Sequence, residues 1–385
     1  MKNLLVAFCV VILISACEKT APEQTSVGFV TLLGNDTLAV EQFEQTDSGI
    51  SAKVVLRSPE TTFSSYNLTL DETGGIQQMT RTDYSLESGF NGEGTISQTI
   101  ERQGDSLHVE VQTDEGTESY NAPYQEGVLP FIDMVHWPFE VAFVNAVDVE
   151  ADTVNQPMFT WSNISNFVIA DIEEDSMTVR HPFRGVMGVD LADNGGIAFL
   201  DAGLTTRKLK VHRTSDIDIN AIGQRFAVAD QRGNPFGSLS GAVTSEFSFL
   251  DTDFRVDYGS PQKRGRELFG SIVPWGERWR TGANRATHFY TSSDLQFGDV
   301  TMPAGEYTLY TIPQPDGGTL IINKQTEQNG NSYDESQDLG RVSMEISTHE
   351  EVTEAFTIMV EEAGEGGVIN LIWGDTIFST NFEIE

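Results

Sequence analysis

VGFVTLL at 27–33, GND at 34–36 and TLAVEQF at 37–43 form the stretch that decides the fold. Two runs rich in β-branched and aromatic residues flank a Gly-Asn-Asp turn, which is a hairpin signal. The rhythm repeats outward from it. Residues 51–57, 66–70, 95–100 and 107–111 alternate apolar with polar, and turn residues separate them. One turn has an echo. Leu70-Asp-Glu-Thr-Gly-Gly-Ile76 matches Leu191-Ala-Asp-Asn-Gly-Gly-Ile197 in length and in its paired glycines. The expectation is one hairpin used twice in one large antiparallel sheet.

Residues 129–147 break the rhythm. Leu129, Ile132, Val135, Phe139 and Phe143 recur at helical spacing, with Pro138 placed to interrupt a continuous helix. Phe131, Trp137 and Phe139 are aromatic for a surface helix. They either close the core of the sheet or line a cavity for a lipid, as in open-barrel envelope proteins that carry lipids. Strands resume at 167–172, 177–179, 197–200 and 208–212. Asp218 is placed to cap a helix over 219–229. Residues 230–243 are rich in Gly, Ser, Pro and Asn, and the domain boundary is expected there. Beyond it, strands are expected at 247–249, 254–258, 286–291, 306–312, 320–323, 341–346, 356–360, 368–373 and 376–382. The reading is an all-β chain. A large curved antiparallel sheet with a short helical segment spans 27–232, a linker spans 233–245, and a β-sandwich or jelly roll spans 246–385.

The chain opens Met1-Lys2-Asn3 and runs apolar from 4 to 14, too short to span a bilayer as a helix. A basic start, a short apolar run and small residues make a secretory signal. Ile14-Ser15-Ala16-Cys17 resembles a lipobox, so 1–16 is expected to be removed and Cys17 acylated. Polar residues 17–26, with Pro22, then form a tether. The expected place is the bacterial cell envelope, lipid-anchored at the outer membrane. Cys9 leaves with the signal, so the mature chain has no thiol pair and relies on its core. The formal charge is −35, from 23 Lys and Arg against 58 Asp and Glu. A surface so acidic keeps a protein soluble at high salt. It disfavours nucleic acid and anionic lipid as partners, since both attract basic patches.

Residues 257–287 oppose that charge. Between 263 and 285, Lys263, Arg264, Arg266, Arg278, Arg280 and Arg285 stand against only Glu267 and Glu277. Tyr258-Gly-Ser-Pro, Lys263-Arg-Gly-Arg, Trp279-Arg-Thr-Gly-Ala-Asn284 and Pro303-Ala-Gly-Glu-Tyr307-Thr-Leu occur in the order seen in the family called domain of unknown function 2911. The chain resembles that family from about residue 247 to its C-terminus. The resemblance implies a bacterial envelope protein, often a lipoprotein, and no established reaction. The chain departs from the pattern at Arg285, where many members are acidic or small. It departs again after Asn323-Lys324, where Glu327-Gln328-Asn329-Gly330 lacks the usual tryptophan.

Standard catalytic signatures are absent. Gly237-Ser-Leu-Ser-Gly241 puts Leu239 where a nucleophile elbow needs serine. The six histidines have no metal-ligand spacing, and no metal or cofactor is expected. Asp171-Ile-Glu-Glu-Asp175 lacks the pattern of a calcium loop. The long stretch between the strands ending at Tyr258 and carrying His288 remains as the candidate site. Arginine offers a planar fork of donors and stacks on tryptophan. The expected ligand-binding set is Tyr258, Lys263, Arg264, Arg266, Trp279, Arg280, Asn284 and His288, taking an anionic or hydroxyl-rich small ligand. Another reading makes each arginine a clasp paired with a carboxylate. A hydrolase would use His288 or Tyr258 for proton transfer, with Glu267 and Glu277 as further candidates. A third reading is a structural partner in an outer-membrane assembly. Convergence of Arg264, Arg266 and Arg280 on a concave pocket would favour a small ligand.

Overall fold

The computed structural model describes residues 26–385, apart from 47, 48, 148, 174, 206, 216, 327, 329 and 331. The expected signal, Cys17 and nearly all of the tether lie outside the described residues. The first half of the chain runs as β1 (Val27–Leu33), β2 (Asp36–Thr46), β3 (Gly49–Leu56), β4 (Thr62–Leu70), β5 (Ile76–Tyr84), β6 (Thr95–Gln103), β7 (Ser106–Thr113) and β8 (Gly116–Pro123). It continues through β9 (Leu129–Pro130), helix α1 (Trp137–Val147), β10 (Thr153–Thr160), β11 (Asn163–Glu173), β12 (Ser176–His181), β13 (Gly185–Leu191), β14 (Ile197–Thr205), β15 (Leu209–Thr214) and helix α2 (Ile219–Gln231).

These strands make one sheet of 15, ordered β8 down to β1, then β15 down to β9. Every pair is antiparallel except β9 with β10. Two meanders therefore meet where β1 pairs with β15, Leu33 opposite Leu209. The sheet curls until its two flanks touch. The Tyr120 hydroxyl on β8 donates to the Trp161 carbonyl in the β10–β11 turn at 2.8 Å. One apolar cluster fills the interior, drawing Phe29, Leu68, Val109, Ile169 and Val211 from strands around the curl. The echoed turns fold alike. Asp71 N–H reaches the Gly75 carbonyl at 2.8 Å, and Ala192 N–H reaches that of Gly196 at 2.8 Å. Gly74 and Gly195 both sit at φ +77°.

α1 lies inside the curl and is buried nearly all round, which is what a helix apolar on every face requires. The helical pattern expected over 129–147 is split. Leu129–Pro130 is strand β9, and the helix starts only at Trp137. Pro138 is the reason, since its missing N–H costs nothing in a first turn and would break a later one. The start is capped from outside. Glu41 of β2, with no exposed surface, accepts from His136 N–H at 2.9 Å on both oxygens and from Trp137 N–H at 2.9 Å. A carboxylate against unpaired helix N–H groups meets the positive end of the dipole. Trp137 and Phe139 are core, and Phe131 packs against it. The space left beside them, between Phe131 and His181, is about 30 Å³.

α2 packs outside the sheet on Val40, Val55 and Phe63. Asp218 caps it as expected, accepting from Ala221 N–H at 2.9 Å.

The second sheet comprises β16 (Ser240–Phe249), β17 (Thr252–Pro261), β18 (Thr287–Thr291), β19 (Leu295–Phe297), β20 (Val300–Met302), β21 (Gly305–Gln314), β22 (Gly317–Asn323), β23 (Asp338–Ala363) and β24 (Gly366–Ile384). Their order is β16-β17-β18-β21-β22-β23-β24-β19-β20. β16 starts at Ser240, inside the stretch read as linker. β23 and β24 each merge two expected strands. The ladder between them shifts register from Thr348 to Thr357, so each long strand bends there and serves both faces of a folded-over sheet. The far half of β23 lies across β17. Ser260 Oγ donates to the Phe356 carbonyl at 2.7 Å, and Ile358 N–H reaches the Tyr258 hydroxyl at 3.3 Å.

Candidate functional site

The chain between β17 and β18 has no strand or helix, and three isolated bridges hold it: Gln262 with Ala355, Phe269 with Val273, and Trp279 with Thr311. It disperses the eight residues expected to bind ligand into three places. Tyr258 and Trp279 join the core of the C-terminal domain. Tyr258 packs edge-on against Phe356 at 5.8 Å, and Trp279 stacks on Trp373 at 6.1 Å with an interplanar angle of 11°. The Trp279 indole N–H donates to the Gly282 carbonyl at 2.9 Å.

Lys263, Arg264 and Arg266 form the second group. Arg264 is only 8 % exposed and reaches across to the first domain. Its guanidinium donates to Asp36 at 2.9 Å and to the Phe236 carbonyl at 2.8 Å, and lies 3.7 Å above the Phe236 ring. Its own carbonyl accepts from Asn35 N–H at 3.0 Å. Arg266 donates to the Lys263 carbonyl at 3.0 Å and to that of Gln262. Burial, with the neighbouring Arg264 charge, pulls its pKa below the ordinary value. Lys263 Nζ donates to the Arg266 carbonyl at 2.8 Å.

Arg280, Asn284 and His288 form the third group, beside the chain that follows β22. Arg280 donates to the Asn284 carbonyl at 3.1 Å, and burial lowers its pKa. Asn284, at φ +65°, donates through its side chain to the Ser240 carbonyl at 3.2 Å. His288 Nδ1 lies 3.3 Å from Thr308 Oγ1, a hydroxyl that itself donates to the Gln325 carbonyl at 2.6 Å. Burial pushes the imidazole below its ordinary pKa. The three arginines do not converge. One closes on a carboxylate of the other domain, and backbone carbonyls take up much of the rest.

The same loop nevertheless builds a concave site elsewhere. A cleft of about 490 Å³ opens between Lys263, Glu267, Phe269 and Trp275 on one side and Ile346, Val352 and Asp375 on the other. Its size falls within the range of small-molecule sites. Trp275 is 37 % exposed and stacks on Phe269, with ring centres 5.8 Å apart and planes at 27°. Gly270, at φ +89°, lets the indole lie on the turn, since a Cβ there would come within 2.5 Å of Trp275 Nε1. The result is a fixed aromatic face with a cation and two carboxylates around it. Of the expected set, only Lys263 lines this cleft. Of the four groups weighed for proton transfer, only Glu267 does. Trp275, Phe269 and Asp375, which line the cleft, were not in the expected set. The available signal was a second tryptophan beside a glycine in the same loop.

Among the described residues, no group of three or more His, Cys, Asp or Glu side chains could hold a metal ion, and no helix is long and apolar enough to cross a membrane. Residues 240–382 match the family described as a protein of unknown function (DUF2911). The match begins at β16 and covers the C-terminal domain. No curated protein matches the chain.

Proposed function

We propose that the chain is a lipid-anchored protein of the bacterial envelope whose C-terminal domain binds a hydroxyl-rich small ligand, of sugar type, in the Trp275 cleft. The observation that carries this reading is the exposed, rigidly backed indole beside Glu267 and Asp375. A flat aromatic face packs against the C–H face of a sugar ring, while carboxylates accept hydrogen bonds from its hydroxyls. An anionic ligand fits less well. The cleft holds two carboxylates against one ammonium, and the Lys263 ammonium already donates to the Arg266 carbonyl. A binding role is favoured over hydrolysis because, of the four groups weighed for proton transfer, Glu267 alone lines the cleft, while Tyr258 and His288 lie away from it. The anchor rests on the lipobox-like Ile14-Ser15-Ala16-Cys17.

The test is calorimetric titration with a panel of neutral mono- and disaccharides, inositol and uronic acids, on wild type and on Trp275→Ala. Expected is binding of a neutral, hydroxyl-rich compound that the variant loses by about tenfold or more, the size of one stacking contact of about 1.4 kcal/mol. The variant's melting temperature should change little, because the indole is partly solvated. Binding unchanged in Trp275→Ala, or a wild type silent to the whole panel, removes the cleft from consideration.

A further inference from the structure

The β10–β15 half of the first sheet is electrically polarised along its strands, and its turns alternate between two rims. The turns at Asp175 and 192–196 lie on one rim, where Asp171, Glu173, Asp175, Asp190 and Asp193 gather. The turns at 161–162, 182–184 and 207–208 lie on the other. Each carries or adjoins a large apolar side chain that packs on little: Trp161 at 71 % exposed, Phe183 at 84 % and Leu204 at 83 %. Basic residues stand beside Phe183 and Leu204. Arg184 and Arg207 share the carboxylate of Asp133, at 2.5 Å and 2.7 Å, so the trio keeps a positive charge. Arg180, Lys208 and Lys210 stand at the same ends of their strands, against Asp201. In a chain of formal charge −35 the β10–β15 part of this rim reverses the sign of the surface.

We infer that this rim docks on an anionic bilayer surface, with Trp161, Phe183 and Leu204 entering the headgroup layer. Successive hairpins are two strands apart, so the three tips make a row with steps of roughly 10 Å. Isolated points on a row bury little against a rigid partner, which needs about 800 Å² per side for a stable interface. A fluid headgroup layer accepts such points, and indole and phenyl rings favour its depth. The flanking arginines and lysines meet lipid phosphates. The acidic opposite rim is repelled, which orients the molecule. The avoidance of anionic lipid expected of the acidic surface as a whole does not extend to this rim. The inference is independent of the Trp275 cleft and of acylation at Cys17.

The experiment is flotation of the chain lacking residues 1–17, which retains every described residue, with phosphatidylcholine vesicles and with vesicles rich in phosphatidylglycerol. Expected is binding to the anionic vesicles only, weakening as salt is raised. The triple variant Trp161→Ser, Phe183→Ser, Leu204→Ser should lose about tenfold or more in affinity with an unchanged melting curve, since these side chains are mostly solvated. Arg180→Gln with Lys210→Gln should reduce the preference for anionic vesicles. Absence of wild-type binding at low salt overturns the inference. So does equal binding by the triple variant, or a wild-type self-association in sedimentation that the triple variant abolishes while flotation is unaffected.

Discussion

Arg264 donates to Asp36 and to the Phe236 carbonyl, whereas Arg266 donates only to carbonyls of its own loop. A carbonyl carries a partial charge, so carbonyl-bound guanidinium groups keep much of their net charge and lose stability on burial. The lowered pKa of Arg266 follows from that. Sequence composition could show six basic residues in one stretch. It could not show which of them would face backbone oxygen, because carbonyl positions depend on the path of the loop. His181 offers the clearest titration. Its Nδ1 accepts from Phe183 N–H at 3.1 Å, its ring packs on Phe167 at 4.7 Å, and its Nε2 is buried without a partner. Burial, assisted by the Arg184 charge, lowers its pKa from 6.5 to about 4. The unfolded imidazole therefore takes up its proton first as pH falls. The stabilisation is complete above 6.5, is lost between 6.5 and about 4, and is gone below that. His181→Gln should flatten the fall of denaturation free energy across this window relative to wild type. Parallel pH profiles for the two proteins would contradict the assignment.

At the scale of elements, α1 is held at two levels by carboxylates. Glu41 caps its first turn. One turn further on, Glu140 accepts from Ile197 N–H at 2.6 Å and from Arg213 at 2.9 Å. Gly196 makes the second contact possible, because a Cβ there would lie 2.1 Å from Glu140 Oε1. Gly196→Ala should therefore displace a buried, hydrogen-bonded carboxylate and cost about 2–4 kcal/mol in urea denaturation. Gly188→Ala, with nothing within 4 Å of the added Cβ, serves as the control and should stay within about 0.5 kcal/mol of wild type. Equal effects of the two would mean the helix shifts freely in the curl. The echo of two Gly-Gly hairpins was legible because turn chemistry is local. The role of the second glycine was not, since its neighbour Glu140 is 56 positions away in the chain. The merging of β23 was hidden for a similar reason. Glu350-Glu-Val-Thr-Glu354 reads as a solvated loop, yet the strand carries that acidic run through its bend.

At the scale of the molecule, the all-β reading followed from period-two alternation, which marks half-buried strands wherever they pair, and the two-part division from the Gly-, Ser-, Pro- and Asn-rich residues 230–243. The join between the parts did not follow, because it depends on side chains 228 positions apart. Asn35 in the β1–β2 turn, Asp36 at the start of β2, Phe236 after α2, and Arg264 after β17 meet there. This makes Arg264 the clasp between the domains. Arg264→Ala should remove about 2–4 kcal/mol, from two charge-assisted hydrogen bonds and the contact with Phe236. Asp36 is left partly solvated, so the loss stays below that of a fully buried pair. Arg264→Lys keeps the charge without the planar fork and should fall between. The readout that separates a clasp from a plain core residue is local. Freed from Arg264, the exposed chain after α2 should open to trypsin at Arg232 well before either domain melts. Cleavage there should rise by about tenfold or more, since 1.4 kcal/mol of lost docking is a factor of ten in the open population. If trypsin attacks wild type and Arg264→Ala at the same rate while the melting temperature falls, Arg264 stabilises the C-terminal domain alone and the two domains are joined by chain connectivity.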